Sequence, residues 1–377
     1  MNPQADIATG RLLVRGVNWL GDAVMTTPAL LRLREACPAA HISLLTPAKL
    51  ADLWWRHPAV DEVLTFAPGE SVLAVGRRLR AGRFTHALVL PNSPRSALEV
   101  FLAGIPRRIG CARPWRNWLL TQRVAARPGA VKMHKRSAAE VRRLLALPPS
   151  KNMPAALPPA AHQIHEYLHL VAALGADPQP LAPRLQAVPL ADSGLARLLP
   201  AGDRRAGGFI GLNPGAEYGP AKRWPIDSFA AAANEVYQRN DCEFLIFGGP
   251  GDVALAEQLR TLLPGPLARG HVTSLAGKTR LGELMTALQL CRVLITNDTG
   301  PMHVAAALGV SVVTPFGSTS SELTGPGLPG DPRHRLLKSD VPCAPCFLRE
   351  CPVDFRCLRG LGADRVVAAV LQLLKSD

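Results

Sequence analysis

Three loops hold residue types that can move a chemical group from one molecule to another. They are Gly16–Asp22 (GVNWLGD), Asn213–Pro225 (NPGAEYGPAKRWP) and the stretch from Asn297 to Leu308 (NDTGPMHVAAAL). A carboxylate can take the proton of a hydroxyl as its oxygen forms a new bond. Asp22 is such a carboxylate, and at a helix start it is equally an N-cap. In the second loop Lys222 and Arg223 place two cations next to Gly215, Gly219 and Pro220. That composition describes a basic surface turn or a phosphate clamp, with Lys222 meeting charge that builds on a leaving group.

In the third loop Pro301 suits the first helical position, where its missing N–H costs nothing. Gly300 lets another group approach the backbone. The N–H groups of Met302 and His303 are expected to point out of the helix end and attract an anion. Thr299, His303 and Asp298 beside them suit a diphosphate. The same residues also describe a well-capped helix with a core-facing histidine. A further turn, Phe247-Gly248-Gly249-Pro250-Gly251, suits close approach by a flat base or a ribose.

The first loop is neither the dinucleotide fingerprint G-x-G-x-x-G nor a Walker loop ending in G-K-[ST], which disfavours a dehydrogenase or a P-loop enzyme. No D-x-D pair occurs in the chain. Its absence fits a diphosphate held by a helix end and cations rather than through a metal ion.

These loops need a scaffold that presents them at strand ends. Strands are expected at Arg11–Val17, His41–Thr46, Val63–Phe66 and His86–Leu90, with helices to about Glu35, near Ala48–Arg56 and at Val72–Arg80. A proline-rich stretch follows, with Pro148, Pro149, Pro154, Pro158, Pro159, Pro178, Pro180, Pro183 and Pro189, and one helix at about His162–Leu174 embedded in it. It reads as the end of a first domain and a linker. A second alternation then runs through strands Phe209–Asn213, Cys242–Phe247, Val293–Thr296 and Ser311–Pro315. Its helices are Asp227–Arg239, Val253–Leu263, Leu281–Leu290, Pro301–Leu308 and a closing Ala363–Leu374. Strands alternating with helices mean parallel sheets covered by helices. The chain therefore reads as two α/β domains, residues 1–190 and 205–360, with a final helical segment over 361–377. In open α/β sheets ligands bind beyond the carboxyl ends of the strands, where all three loops lie. Two such domains facing each other make a cleft with a ligand-bearing rim from each.

The 377 residues are 47% hydrophobic, ample for two cores. No apolar run reaches the ~18 residues of a membrane span, and the opening MNPQADIATG lacks a signal-peptide pattern. The expectation is a cytoplasmic protein, with peripheral membrane contact left open. The net charge is +14, and residues 1–190 carry 24 Lys/Arg against 11 Asp/Glu. Either an arginine-rich composition or an anionic partner of the first half explains that excess. Of eight cysteines, Cys343, Cys346, Cys351 and Cys357 cluster in CAPCFLRECPVDFRC. They read as a structural zinc site or as free thiols in a stiff loop.

The segments NWLGDAVMTTPAL, PGAEYGPAKRWP and NDTGPMHVAAALG closely resemble the hallmark segments of the ADP-heptose:lipopolysaccharide heptosyltransferases, glycosyltransferase family 9. The second is most similar to the branch that adds a second heptose onto the first. The resemblance runs from about Arg11 to the C-terminal helix, in family order. It implies a GT-B fold: two Rossmann-like domains facing across a cleft, acceptor in the first, ADP-heptose in the second, and the final helix packing back toward the first. It also implies an inverting displacement. Asp22 matches the family's general base and Lys222 the lysine against the diphosphate. Asp298, Thr299, Gly300 and His303 match the donor segment D-[ST]-G-x-x-H, to which Met302 and Gly248 are added as donor-binding candidates. Asn18, Trp19 and Gly21 lie in the loop that varies with acceptor class. No metal is implied for the reaction. Where relatives carry a histidine shortly before the last cysteine, this chain has Phe355-Arg356, which weakens a metal role for the cysteines.

The acceptor implied is the anionic lipopolysaccharide inner core at the cytosolic face of the inner membrane. The charge excess then acquires a candidate meaning in Arg77, Arg78, Arg80, Arg83, Arg107, Arg108, Arg113, Arg116, Lys132, Lys135 and Arg136, with Trp115 and Trp118 as sugar or interface contacts. Alternatives are another core heptosyltransferase of the family, a nucleotide-sugar epimerase on the same scaffold, and a nucleic-acid-binding protein. The last is suggested by charge alone and carries no recognisable binding motif.

Overall fold

The computed structural model describes residues 9–146, 157–200 and 205–375. Pro148, Pro149 and Pro154 of the expected linker, and the first eight residues, lie outside the described residues. The chain divides into two compact units, residues 1–130 with 163–186, and residues 131–162 with 187–377.

In the first unit six strands pair in parallel: β1 (Arg11–Arg15), β2 (His41–Pro47), β3 (Glu62–Phe66), β4 (His86–Val89), β5 (Arg107–Cys111) and β6 (Gln122–Val124), in the order β3-β2-β1-β4-β5-β6. Arg11 pairs with His41 on one side of β1, and Leu12 with His86 on the other. Leu13, Leu45, Val75, Leu79, Val89 and Val100 form a buried core beneath the sheet. The helix Val72–Arg80 starts where Ser71 accepts from the Ala74 N–H, and Pro94–Leu102 starts where Ser93 accepts from Ser96 with Pro94 inside the first turn. The helix expected near residues 48–56 is a 3-10 turn, Ala48–Trp54.

The second unit repeats the plan with β7 (Phe209–Asn213), β8 (Glu243–Ile246), β9 (Val272–Ser274), β10 (Cys291–Thr296), β11 (Ser311–Phe316) and β12 (His334–Lys338), in the order β12-β11-β10-β7-β8-β9. Burial on both faces makes its central strands continuous apolar runs, as a parallel sheet requires. In each unit the strand order reverses beside the first strand, between β1 and β4 and between β7 and β10. That switch point opens a crevice at the strands' carboxyl ends. Gly16–Asp22 follows β1, and the loops at 214–225 and 297–300 follow β7 and β10.

Two boundaries differ from the sequence reading. Residues 131–162 were expected inside the first domain; the described residues among them pack with the second unit. The Arg136 N–H donates to the Cys346 carbonyl at 3.0 Å, Val141 is buried with Cys343 and Cys346, and His162 Nε2 lies 3.0 Å from the Gly325 carbonyl oxygen. Residues 163–186 then return to the first unit, which short linkers rich in proline do not advertise. The closing helix, Ala363–Lys375, was expected to pack toward the first domain. Its Val366, Val367, Val370 and Leu373 are instead buried in the second unit's core with Phe229, Val236 and Ile295. Burying each of those side chains is worth roughly 1.5–3 kcal/mol, which fixes the helix there.

The new boundary redistributes charge. By unit, the first carries 18 Lys/Arg against 10 Asp/Glu and the second 25 against 19. The excesses, +8 and +6, are nearly equal. The lopsidedness of the linear sequence came from counting the basic residues of 131–162 with the wrong sheet.

Candidate active site

In the second unit the loops after β7 and β10 meet. Asn297, directly after β10, is fully buried and works as a clamp. Its Nδ2 donates to the Pro214 carbonyl at 2.7 Å, and its Oδ1 accepts from the Trp224 N–H at 2.9 Å. Both ends of the 214–224 loop are thereby tied to the end of β10. Trp224 is itself buried and donates through Nε1 to the Leu361 carbonyl at 3.0 Å. Gly219 sits at φ +146, and a Cβ there would come within 2.6 Å of the Arg349 carbonyl oxygen. Only glycine fits that turn. The Ala221 N–H donates to the same carbonyl at 3.0 Å.

So held, Lys222 reaches Asp298. Its Nζ stands 2.7 Å from Asp298 Oδ2, with the side chains 14% and 5% exposed. The Thr319 hydroxyl, after β11, donates to the same oxygen at 2.5 Å. Asp298 is therefore no helix cap: its charge is spent on Lys222 and Thr319. Tyr218 lies under the ammonium, 5.0 Å from ring centre to Nζ, and donates its hydroxyl to the Phe347 carbonyl at 2.8 Å. An ammonium has three donors, so one bond to Asp298 leaves capacity for an oxyanion.

The helix Gly300–Ala307 begins beside this pair, with Thr299 at its cap position in an extended conformation and Pro301 in the first turn. His303 is buried behind it. Burial pushes its imidazole down to about 4, helped by His162 and Lys222 and opposed by Asp298. It is neutral at pH 7, a hydrogen-bonding group rather than a cation. Met302 does not match its expected role. Its side chain is wholly buried, and its N–H donates to the Thr299 carbonyl at 3.0 Å because the first turn is tight. Gly248, after β8, has no room for a side chain: a Cβ would meet Asp252 Cβ at 2.8 Å.

In the first unit Asp22 lies in the first turn of the helix Leu20–Ala36, whose cap residue is Trp19. Asp22 is thus not the N-cap. Gln163 Nε2 donates to Asp22 Oδ1 at 3.0 Å and to the Tyr167 hydroxyl oxygen at 3.0 Å. Burial, then the Asp22 charge, holds the Tyr167 phenol well above its ordinary range. The loop before Asp22 is braced from below. Arg15, at the end of β1, is buried in an ion pair with Glu99, Nε to Oε2 2.7 Å, and donates to Asn18 Oδ1 at 3.0 Å. Asn18 therefore spends its side-chain oxygen on the scaffold. Trp19 is half exposed, with Lys49 Nζ 5.5 Å from its ring centre. Gly21 is partly exposed in the helix's first turn.

Several arginines expected to face an anion have partners within their own unit. Arg116 is completely buried and donates to the Cys111 carbonyl from Nη2 at 2.9 Å. Arg108 donates to the Leu119 carbonyl at 2.7 Å, Arg80 to the Leu102 carbonyl at 3.0 Å, and Arg78 pairs with Glu70 at 2.6 Å. Lys132 and Arg136 line a cavity of about 370 Å³ in the second unit, with Lys338, Phe316, Thr319 and Phe347 also in its walls.

The cysteines gather near the end of β11, where a Cβ at Gly317 would lie 3.1 Å from Cys357 Sγ. Cys343, Cys346 and Cys357 are buried, Cys351 partly so, and all are free thiols. Burial, then the other three thiols, pushes Cys357 up to about 12. Among the described residues, no group of three or more His, Cys, Asp or Glu is arranged to hold a metal ion.

Sequence reasoning missed Thr319, Gln163, Tyr167, Arg15 and Glu99. Thr319 and Gln163 sit far along the chain from their partners, in segments without a motif. Arg15 and Glu99 carried one signal, a charge inside or beside otherwise apolar elements.

Comparison with known proteins identifies the family and the fold. The model of Glycosyltransferase family 9 (heptosyltransferase) matches residues 72–355. Lipopolysaccharide heptosyltransferase 2 of Escherichia coli K12 is 32% identical over 84% of this chain and 85% of its own length. Lipooligosaccharide heptosyltransferase 2 of Haemophilus influenzae is 30% identical over 84% and 85%. The solved structure of E. coli ADP-heptose lps heptosyltransferase II aligns over 97% of this chain and 99% of its own, with TM-score 0.74 and 27% identity.

Proposed function

The chain belongs to glycosyltransferase family 9, and we propose that it moves L-glycero-D-manno-heptose from ADP-heptose onto the first heptose of the lipopolysaccharide inner core. The match to heptosyltransferase 2 relatives over most of the chain favours transfer over epimerisation, and this branch over others of the family.

The observation that carries the reading is the Lys222–Asp298 pair at the β7/β10 switch point, beside a helix end. Asp298 holds the ammonium in place, and the diphosphate of ADP-heptose takes its remaining donors. Thr299 and the helix start supply further donors, and neutral His303 another hydrogen-bonding group. Together they meet the charge that grows on ADP as it leaves, and the reading requires no metal ion. Asp22 removes the proton from the acceptor hydroxyl; the oxygen attacks the anomeric carbon, the bond to ADP breaks, and the configuration inverts. The donor goes to the second unit and the acceptor to the first. Trp19 with Lys49 gives the acceptor a flat apolar face beside a cation.

The acceptor is anionic and membrane-held. Among the described residues no helix is long and apolar enough to cross a membrane. Trp115, 73% exposed beside Arg113, suits contact with the cytosolic membrane face instead. The test is mass spectrometry of truncated core acceptors incubated with the protein and ADP-heptose. An acceptor ending in one heptose gains one heptose. Gain only on an acceptor that lacks heptose, or none on either, overturns the assignment.

A further inference from the structure

We propose that Gln163, held by Tyr167, is the positioning residue for the Asp22 carboxylate, an inference that rests on the reading of Asp22 as the base. The carboxamide nitrogen of Gln163 carries two hydrogens, and the structure uses both. One goes to Asp22 Oδ1 at 3.0 Å and the other to the Tyr167 oxygen at 3.0 Å. That double use fixes which way the amide faces. Turned over, its carbonyl would confront the carboxylate, acceptor against acceptor.

Tyr167 makes the arrangement rigid. It is buried on the helix Ile164–Ala172, and the ring cannot swing out without losing its packing. Burial, then the Asp22 charge, holds the phenol well above its ordinary range, so its oxygen is a neutral acceptor at neutral pH. Gln163 directly precedes that helix and is carried by it. The result is a chain of fixed groups, Tyr167 to Gln163 to Asp22, that stops the carboxylate rotating about its Cβ–Cγ bond. A general base displaced by about 1 Å loses on the order of 100-fold in rate. A donated N–H also favours the ionised carboxylate, the form that accepts a proton. Gln163 thus does two jobs: it aims the base and keeps it charged.

The test compares Gln163→Leu, Gln163→Glu and Tyr167→Phe with wild type and Asp22→Asn, following kcat, the KM of each substrate and the pH–rate profile. Gln163→Leu is expected to lower kcat 10- to 100-fold with donor KM unchanged, and to move the acid limb to higher pH. Tyr167→Phe is expected to give a smaller loss of the same kind. Gln163→Glu gives the signature that general loosening would not: a protonated side chain still donates, so activity survives at low pH and collapses reversibly as the new carboxylate ionises against Asp22. Unchanged kcat and pH limbs in Gln163→Leu, while Asp22→Asn is inactive, overturn the positioning role and spare the base. Full activity in Asp22→Asn removes the base, and this inference with it. If Gln163→Leu melts early, the pH-reversible loss in Gln163→Glu still decides, and its absence in a folded Gln163→Glu protein counts against the proposal.

Discussion

Lys222 Nζ stands 2.7 Å from Asp298 Oδ2, and Thr319 donates to the same oxygen. The pair is largely hidden from solvent, so removing one member strands a charge. Breaking a buried pair costs about 3–5 kcal/mol, and losing a donor aimed at developing charge costs about 10²–10³ in rate. Lys222→Ala is therefore expected to lower both the melting temperature and kcat. Adding Asp298→Asn removes the stranded charge: the double variant should regain much of the lost melting temperature and none of the lost kcat. Recovery of both would make the pair structural only.

Asp22→Asn keeps the shape of the side chain and removes its basicity. Loss of a general base costs about 10²–10⁴ in rate. Transfer should fall by that factor while calorimetry finds ADP affinity unchanged, because the proposed diphosphate contacts belong to the second unit. A variant that transfers at the wild-type rate would reassign the base.

Asn297 makes no proposed contact with substrate, yet its amide ties both ends of the 214–224 loop. Asn297→Leu leaves a buried carbonyl and a buried N–H without partners, at about 1–3 kcal/mol each. The expected result is a lower melting temperature together with a higher donor KM, since Lys222 rides on that loop. A change in one without the other would mean the loop holds its shape by other means.

How much of this was legible beforehand depends on what kind of signal each residue leaves. Val293–Thr296 and Phe209–Asn213 announce themselves as apolar runs closed by turn formers. Asp22, Lys222 and Asp298 stand out as charges in glycine- and proline-containing loops at strand ends. β5 and β6 did not: RRIGC and QRV carry three arginines, of which Arg108 sends its head to the Leu119 carbonyl, so the apolar count is too low. β9 is only three residues long, and β12 is flanked by His334 and Lys338. Gln163 and Thr319 have no motif, since their role comes from long-range packing that brings residue 163 to 22 and residue 319 to 298. The domain boundary failed for the same reason. A proline-rich stretch marks irregular chain, and which sheet it leans on is decided by contacts such as Arg136 to Cys346.

In the proposed reaction Lys222 and a helix end meet the charge on the leaving diphosphate, so transfer should survive chelation. Activity in excess EDTA is expected to stay within about twofold of the untreated rate, well under the tenfold that a 1.4 kcal/mol change in barrier would produce. A larger loss, restored by one divalent cation, would replace this account of leaving-group stabilisation.

Acid should destabilise the fold through three histidines. His57, His303 and His334 are buried, and burial pushes each down to about 4. His57 shows the cause: its Nδ1 accepts from the Ala59 N–H at 3.3 Å, its edge meets Trp54, and its Nε2 is buried without a hydrogen-bond partner. In the unfolded chain a histidine titrates near 6.5. Between those two values the unfolded state binds more protons, so stability rises with pH there. It is complete above about pH 6.5 and declines as the pH falls toward about 4, by up to about 1.4 kcal/mol per pH unit for each histidine. Urea unfolding at several pH values should show that slope. His57→Phe, far in sequence from the proposed chemistry, keeps the ring against Trp54 and should make the slope shallower by about one histidine's share. An identical slope in the variant would mean that His57 gains its proton as easily folded as unfolded.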